Sequence, residues 1–245
     1  MMRLGPIVAL GAVLASATVA QAERIVEASY GEPTSRYQHG VFGETSEWGA
    51  LKLVVDRCAG CASPDLHRIV LRLPETHVFE DIVPRLVDLD GDGEPEVVVV
   101  ETDMAQGARL SVYGPTGLIT ATPYIGQTRR WLAPAGFGDF NDDGLLDIAY
   151  VETPHLGKVL RIFTLRTTPS PHLEELGRVA GITNHRIGDS NIWGGVRVCQ
   201  GRAEVIGADG NWSRMMVARL QAGELVLSDA GPLSSPTELD AALGC

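Results

Sequence analysis

The chain has 245 residues, 44% of them hydrophobic, and 31 acidic against 20 basic side chains give it a net charge of −11. Such acidity argues against nucleic acid and against anionic membrane surfaces as partners. Residues 1–22 read as a secretory signal peptide: Arg3, then an apolar run from Ile7 to Val19, then Ala20, Gln21 and Ala22 ahead of Glu23. That run is too short to span a membrane, no later stretch approaches its length, and no cysteine stands at the cleavage site to carry a lipid. The expectation is a protein of a periplasm or extracellular space, without membrane insertion.

Four units of about fifty residues follow, over about 24–82, 83–130, 131–180 and 181–231, with a tail over 232–245. The first contains GETSEWGALKLVV from 43 and then Cys-Ala-Gly-Cys at 58–61. Cys58 and Cys61 either close a small local disulfide or form a redox pair. No helix start or thioredoxin-like pattern surrounds them, which favours the structural bond. Cys199 and Cys245 are then left to each other, a bond that ties the tail to the body. Zinc is the weaker reading, since no histidine stands at ligand spacing near either pair.

The second and third units each open on an acidic loop, DLDGDGEPE at 88–96 and DFNDDGLLD at 139–147. Positions one, three, five and nine offer oxygen ligands: Asp88, Asp90, Asp92 and Glu96 in one, Asp139, Asn141, Asp143 and Asp147 in the other. With a carbonyl at position seven, from Glu94 and Leu145, this is the ligand supply of a calcium loop, giving two Ca²⁺ sites. Gly93 and Gly144 allow the chain to fold back around an ion. The loops are not EF-hands, because Val99 and Tyr150 occupy position twelve. The plainer alternative is an acidic turn without metal, but carboxylates crowded onto so short a loop repel one another unless a cation sits among them. Each loop runs into a β-branched or aromatic segment, EVVVVET or DIAYVET, which predicts a strand.

Repetition extends beyond the loops. The segments from 43, 100, 151 and 207 all read as strand end, polar turn, strand. In the third unit the predicted strands cover 131–140, 147–152, 159–165 and 173–179. A four-stranded unit at this period predicts an all-β fold, a β-propeller of four blades with four antiparallel strands each. GFGDFNDDGLLD and its repeat partners resemble the FG-GAP, or VCBS-type, repeat of integrin-like propellers over roughly 24–230. The resemblance implies calcium in the turn between the first and second strands of a blade, held by Asp88, Asp90, Asp92, Glu94 and Glu96, and by Asp139, Asn141, Asp143, Leu145 and Asp147. In the first unit the matching positions are Glu32, Thr34, Arg36 and His39, where the Arg36 cation opposes metal binding.

In a propeller the remaining turns lie on the face opposite the metal loops. Trp48 and Trp212 are placed in second-to-third-strand turns, and Trp131 and Trp193 in connectors between blades. With Arg130, His155 and His185 they make a candidate binding face for a protein or saccharide ligand, although tryptophans plugging gaps between blades would read the same way. No catalytic motif stands at recognisable spacing, so no catalytic residue is assigned and a binding or scaffold module, monomeric or dimeric, is the expectation. The alternative is a propeller hydrolase or lyase acting on polysaccharide, with Glu101 and Glu152 as paired acids and His39, His155 or His185 as base. A third is an assembly factor whose ring is completed by dimerisation.

Overall fold

The computed structural model describes residues 23–43 and 47–245, and the predicted leader over 1–22 lies outside the described residues. The first unit contributes β1 (Arg24–Pro33), β2 (Glu47–Asp56), β3 (Leu66–Arg72) and β4 (His77–Glu80). The second contributes β5 (Arg85–Val87), β6 (Glu96–Asp103), β7 (Gly107–Gly114) and β8 (Gly117–Ala121). The third is β9 (Leu132–Gly138), β10 (Asp147–Glu152), β11 (Val159–Arg166) and β12 (His172–Ala180). The fourth is β13 (Gly195–Cys199), β14 (Arg202–Ala208), β15 (Arg214–Gln221) and β16 (Glu224–Pro232), followed by helix α1 (Thr237–Ala241). The third-unit strands fall within about two residues of those predicted, because alternation and turn residues mark them clearly. Among the described residues no helix is long and apolar enough to cross a membrane.

All strand pairs are antiparallel, in sheets of eight, four and four strands. Counted by the expected spans, each unit holds four strands, β1–β4, β5–β8, β9–β12 and β13–β16, but the first two units share one eight-stranded sheet. Their boundary falls between β4 and β5, which pair with the two ends of β6, and β4 also pairs with β2 at Glu47↔Glu80 and Trp48↔Phe79. The boundary is held by the fully buried Asp81, whose carboxylate accepts the Ile82 amide at 2.7 Å and pairs with Arg85. Trp48 therefore lies within β2 and not in a turn, its Nε1 donating to the Asp81 carbonyl at 3.3 Å.

The units stack through the alternating side chains of their central strands. On β6, Val97 and Val99 pack with Leu51, Leu53 and Val55 of the first unit, while Val98 and Val100 pack with Ile148 and Tyr150 of the third. On β10, Ala149 and Val151 continue the stack to Ala203 and Val205 of β14. The other face of β14, Ile206 and Ala208, is covered by Leu233 and by Leu239 of α1. A closed ring would place the first sheet there. At the other end of the stack, the β1–β2–β3 face carries the exposed Lys52 and Arg68.

Both predicted disulfides are present, Cys58–Cys61 and Cys199–Cys245. The second spans 46 residues and fastens the segment after α1 to the end of β13. Cys199→Ser should therefore lower the unfolding free energy by about 2–5 kcal/mol, read by denaturant titration under non-reducing conditions. Cys58→Ser, which opens a bridge of sequence separation 3, should cost less. Equal losses would show that α1 is held by packing alone.

Candidate metal centres and the opposite rim

The two acidic loops occupy equivalent places, one leaving β5 and entering β6 at Glu96, the other leaving β9 and entering β10 at Asp147. Each is closed in the same way. The ninth-position carboxylate reaches back to the second-position amide, Glu96 Oε2 accepting from Leu89 and Asp147 Oδ2 from Phe140, both at 2.9 Å. The first-position carboxylate collects two amides: Asp88 takes those of Gly91 and Gly93, and Asp139 those of Asp143 and Gly144. Gly93 and Gly144 adopt φ of 89° and 86°, the left-handed turn that a side chain would strain.

In the first loop Asp88, Asp90 and Glu96 each bring a carboxylate oxygen within 4.8 Å of the others, a grouping able to hold a metal ion. Burial pushes the Glu96 carboxyl up to about 7, the Leu89 amide opposing and the charges of Asp90 and Asp92 adding to it. Burial likewise raises Asp90, with Asp92 and Asp88 contributing. These are carboxylates held close without compensation, the condition that a cation relieves. The second loop differs. Asp147 is raised to about 6, chiefly by burial, and its Oδ1 is buried without a hydrogen bond. Asp143, against a burial cost, is held below its usual range by the Leu145 amide, Asn141 and Arg166. Arg166 Nη1 lies 3.1 Å from Asp143 Oδ2, with Glu174 on the same guanidinium. A protein cation thus already stands on the fifth-position ligand, and among the described residues Asp139, Asp143 and Asp147 do not form the three-carboxylate grouping of the first loop. Of the other predicted ligands, Asp92 turns Oδ1 to the Glu94 amide at 2.7 Å, and Glu94 Oε2 is buried without a partner.

Residues 88–150 match the FG-GAP-like repeat family. The chain carries an FG-GAP-type repeat. No curated protein and no solved structure matches it. The matched span runs from the first position of one loop into the strand that leaves the other.

In the third unit β9 separates the FG-GAP loop from Trp131, which lie at its opposite ends; seven strand residues span about 23 Å. Trp131 is only 2% exposed. Its Nε1 donates to the Glu80 carbonyl at 2.8 Å, and Phe42 and His185 stand edge-on to its ring. His185 is also buried; its Nε2 donates to the Asp189 carbonyl at 3.0 Å, leaving Nδ1 to accept from His155 Nε2 at 2.8 Å. Trp193 donates to Asp189 Oδ2 at 2.9 Å, and the Arg186 guanidinium lies 4.3 Å from the Trp212 ring centroid. Arg130, half-buried, shares a small cleft with His39, Trp131 and His155. The rim is thus an aromatic and histidine cluster with Trp131 and His185 beneath its surface.

Sequence reasoning missed what organises this cluster. Residues 34–43 run inward from the first unit: Val41 and Phe42 join the core of the second and third units, and the Val41 carbonyl accepts the Gly188 amide at 3.0 Å. Glu47 holds the segment by accepting the Gln38 and His39 amides, and His39 Nδ1 lies 2.7 Å from Glu80 Oε1. Arg36 reaches Glu75 and the His77 carbonyl, so the degraded first loop is tied by protein groups. The apolar pair in GVFG was the available signal.

Two outcomes follow. Arg166→Gln should free Asp143 and increase cation binding at the second loop, read as a higher ion stoichiometry or affinity by calorimetry; an unchanged isotherm would mean that Arg166 does not compete. Burial, with the neighbouring histidines, lowers His155 to about 4. Because this folded value lies below the ordinary 6.5, the neutral ring contributes stability above about pH 6.5 that is lost as pH falls towards 4. His155→Gln should therefore flatten the parent's stability profile in that window, measured by denaturation at stepped pH.

Proposed function

We propose that this chain is an exported, calcium-stabilised binding or scaffold module, an open array of propeller-type sheets that presents surfaces to a protein or saccharide and catalyses nothing. The gathering of Asp88, Asp90 and Glu96 carries the reading, because three crowded carboxylates suit a hard divalent ion of calcium's size. Zinc prefers nitrogen and sulfur, which this loop lacks. Two disulfides agree with an oxidising compartment.

The acids that a hydrolase would need are engaged elsewhere. Glu101 accepts from Arg109, Tyr124, Ser111 and Tyr113, and Glu152 pairs with Arg161 at 2.6 Å. With four donors on its two oxygens Glu101 has no lone pair left for substrate, while Glu152 is held by the single contact from Arg161. In this reading the partner surface is the rim carrying Arg130, His155, Trp193 and Trp212, beside the exposed Leu156 and Ile187, and Trp131 and His185 support it from below.

The test is calorimetric melting in millimolar calcium and in chelator. Extracellular modules bind with dissociation constants of about 10⁻⁴–10⁻³ M, so calcium should raise the melting temperature by mass action. Asp90→Ala should remove most of that rise and Thr34→Ala none of it. A melting curve indifferent to chelator would sink the proposal.

A further inference from the structure

The second acidic loop has unlike neighbours on its two sides. Towards the first loop, Leu145 fills the space: its Cδ2 stands 3.2 Å from where a Cβ on Gly91 would sit. Towards the fourth unit that filling is missing, for a reason visible in the chain. Gln200 and Gly201, with φ of 53° and 76°, turn β13 directly into β14, where Cys199 pairs with Arg202. Two residues stand where the second and third units carry a long loop. The space left is a cleft of about 260 Å³, with Asp139 and Asp142 on one side, Arg202, Arg219 and Gln221 on the other, and Phe140 between them.

We propose that this cleft binds a uronate residue of an acidic saccharide. Arg202 makes no ion pair among the described residues, and Arg219 is paired to Glu204 through Nε, which leaves its terminal nitrogens for a ligand. A guanidinium in that state suits a carboxylate, which it can grip with two parallel hydrogen bonds. Asp142, in a left-handed turn at φ 61°, makes no side-chain hydrogen bond among the described residues and can accept from a hydroxyl, while Gln221 can both donate and accept. Leu220 and the exposed edges of the otherwise buried Phe140 and Ala203 give the cleft its apolar contact for the C–H groups of a pyranose. The volume lies below the range of about 300–1,000 Å³ typical of drug-sized ligands, which limits the occupant to about one sugar ring. A compact dianion would meet Asp139 and Asp142, and an ammonium group would meet the Arg202 and Arg219 guanidinium groups. The inference rests on the binding-module reading and places the saccharide at the loop end of the sheets, leaving the rim to a protein partner.

The experiment is an amide-shift titration of the isotopically labelled chain in calcium with D-glucuronate, D-glucose, acetate and glycine. Glucuronate should shift residues 140–142, 202–203 and 219–221 saturably, with glucose, acetate and glycine at least about tenfold weaker. Arg202→Gln should weaken glucuronate by about tenfold or more, the scale of one charged hydrogen-bonding partner, and the same change at Arg129, an exposed residue lining the small rim cleft beside Arg130, should not. The calcium-induced rise in melting temperature, measured on the same samples, tests the module separately. No saturable shift at these residues, equal binding of any control ligand, or an unaffected Arg202→Gln would overturn the proposal even where the calcium response is intact.

Discussion

Strands that are apolar on both faces have to be covered on both sides, and the rest of this molecule depends on that requirement. β6 is buried along nearly its whole length, its odd valines facing one neighbour and its even valines the other. Fully burying one such side chain is worth about 1.5–3 kcal/mol, so each sheet is stable only between two partners. At one end the stack stops at a mixed face where Lys52 and Arg68 alternate with Val54, Leu66 and Val70, and at the other α1 lays Leu239 over Ile206 and Ala208. A terminal cap of this kind is what the end of a repeat stack needs.

The same geometry decides where charge can sit. Central strands bury the carboxylates at their ends, and those carboxylates must find donors or share a cation. Three use arginine across the sheet: Glu101 with Arg109, Glu152 with Arg161, and Glu204 with Arg197 and Arg219. Glu96 has backbone amides and no arginine, with acidic neighbours around it, so in the proposed reading an ion from outside balances its charge. Asp147 has the same backbone bond, and Arg166 stands near its loop as a partial substitute. The two loops look alike in sequence and differ in how much of their charge the protein itself balances.

Much of this was legible in the chain. Alternating apolar residues and nine-residue acidic loops at a fixed interval announce antiparallel strands and oxygen-rich turns without any tertiary information, and the cysteine pairing followed because so few partners were available. What escaped was set by contacts between distant segments. Nothing near Arg166 says that it folds onto Asp143, twenty-three residues earlier. Trp131 looks like a surface anchor until Phe42, from another unit, is placed against it. The short turn at Gln200 reads as a decayed loop, and only the stacked sheets turn that deletion into a cleft. Turns report their own geometry faithfully, while burial of a side chain is a property of what arrives from elsewhere.

The claim that the first loop is built around a cation is tested most directly by crystals grown in millimolar calcium, with anomalous difference density used to place the ion. The account predicts a peak inside residues 88–96, with Asp88, Asp90 and Glu96 oxygens at about 2.3–2.6 Å from it. A well-ordered loop in that crystal with no peak, its carboxylates hydrogen-bonded to water or to one another, would contradict it.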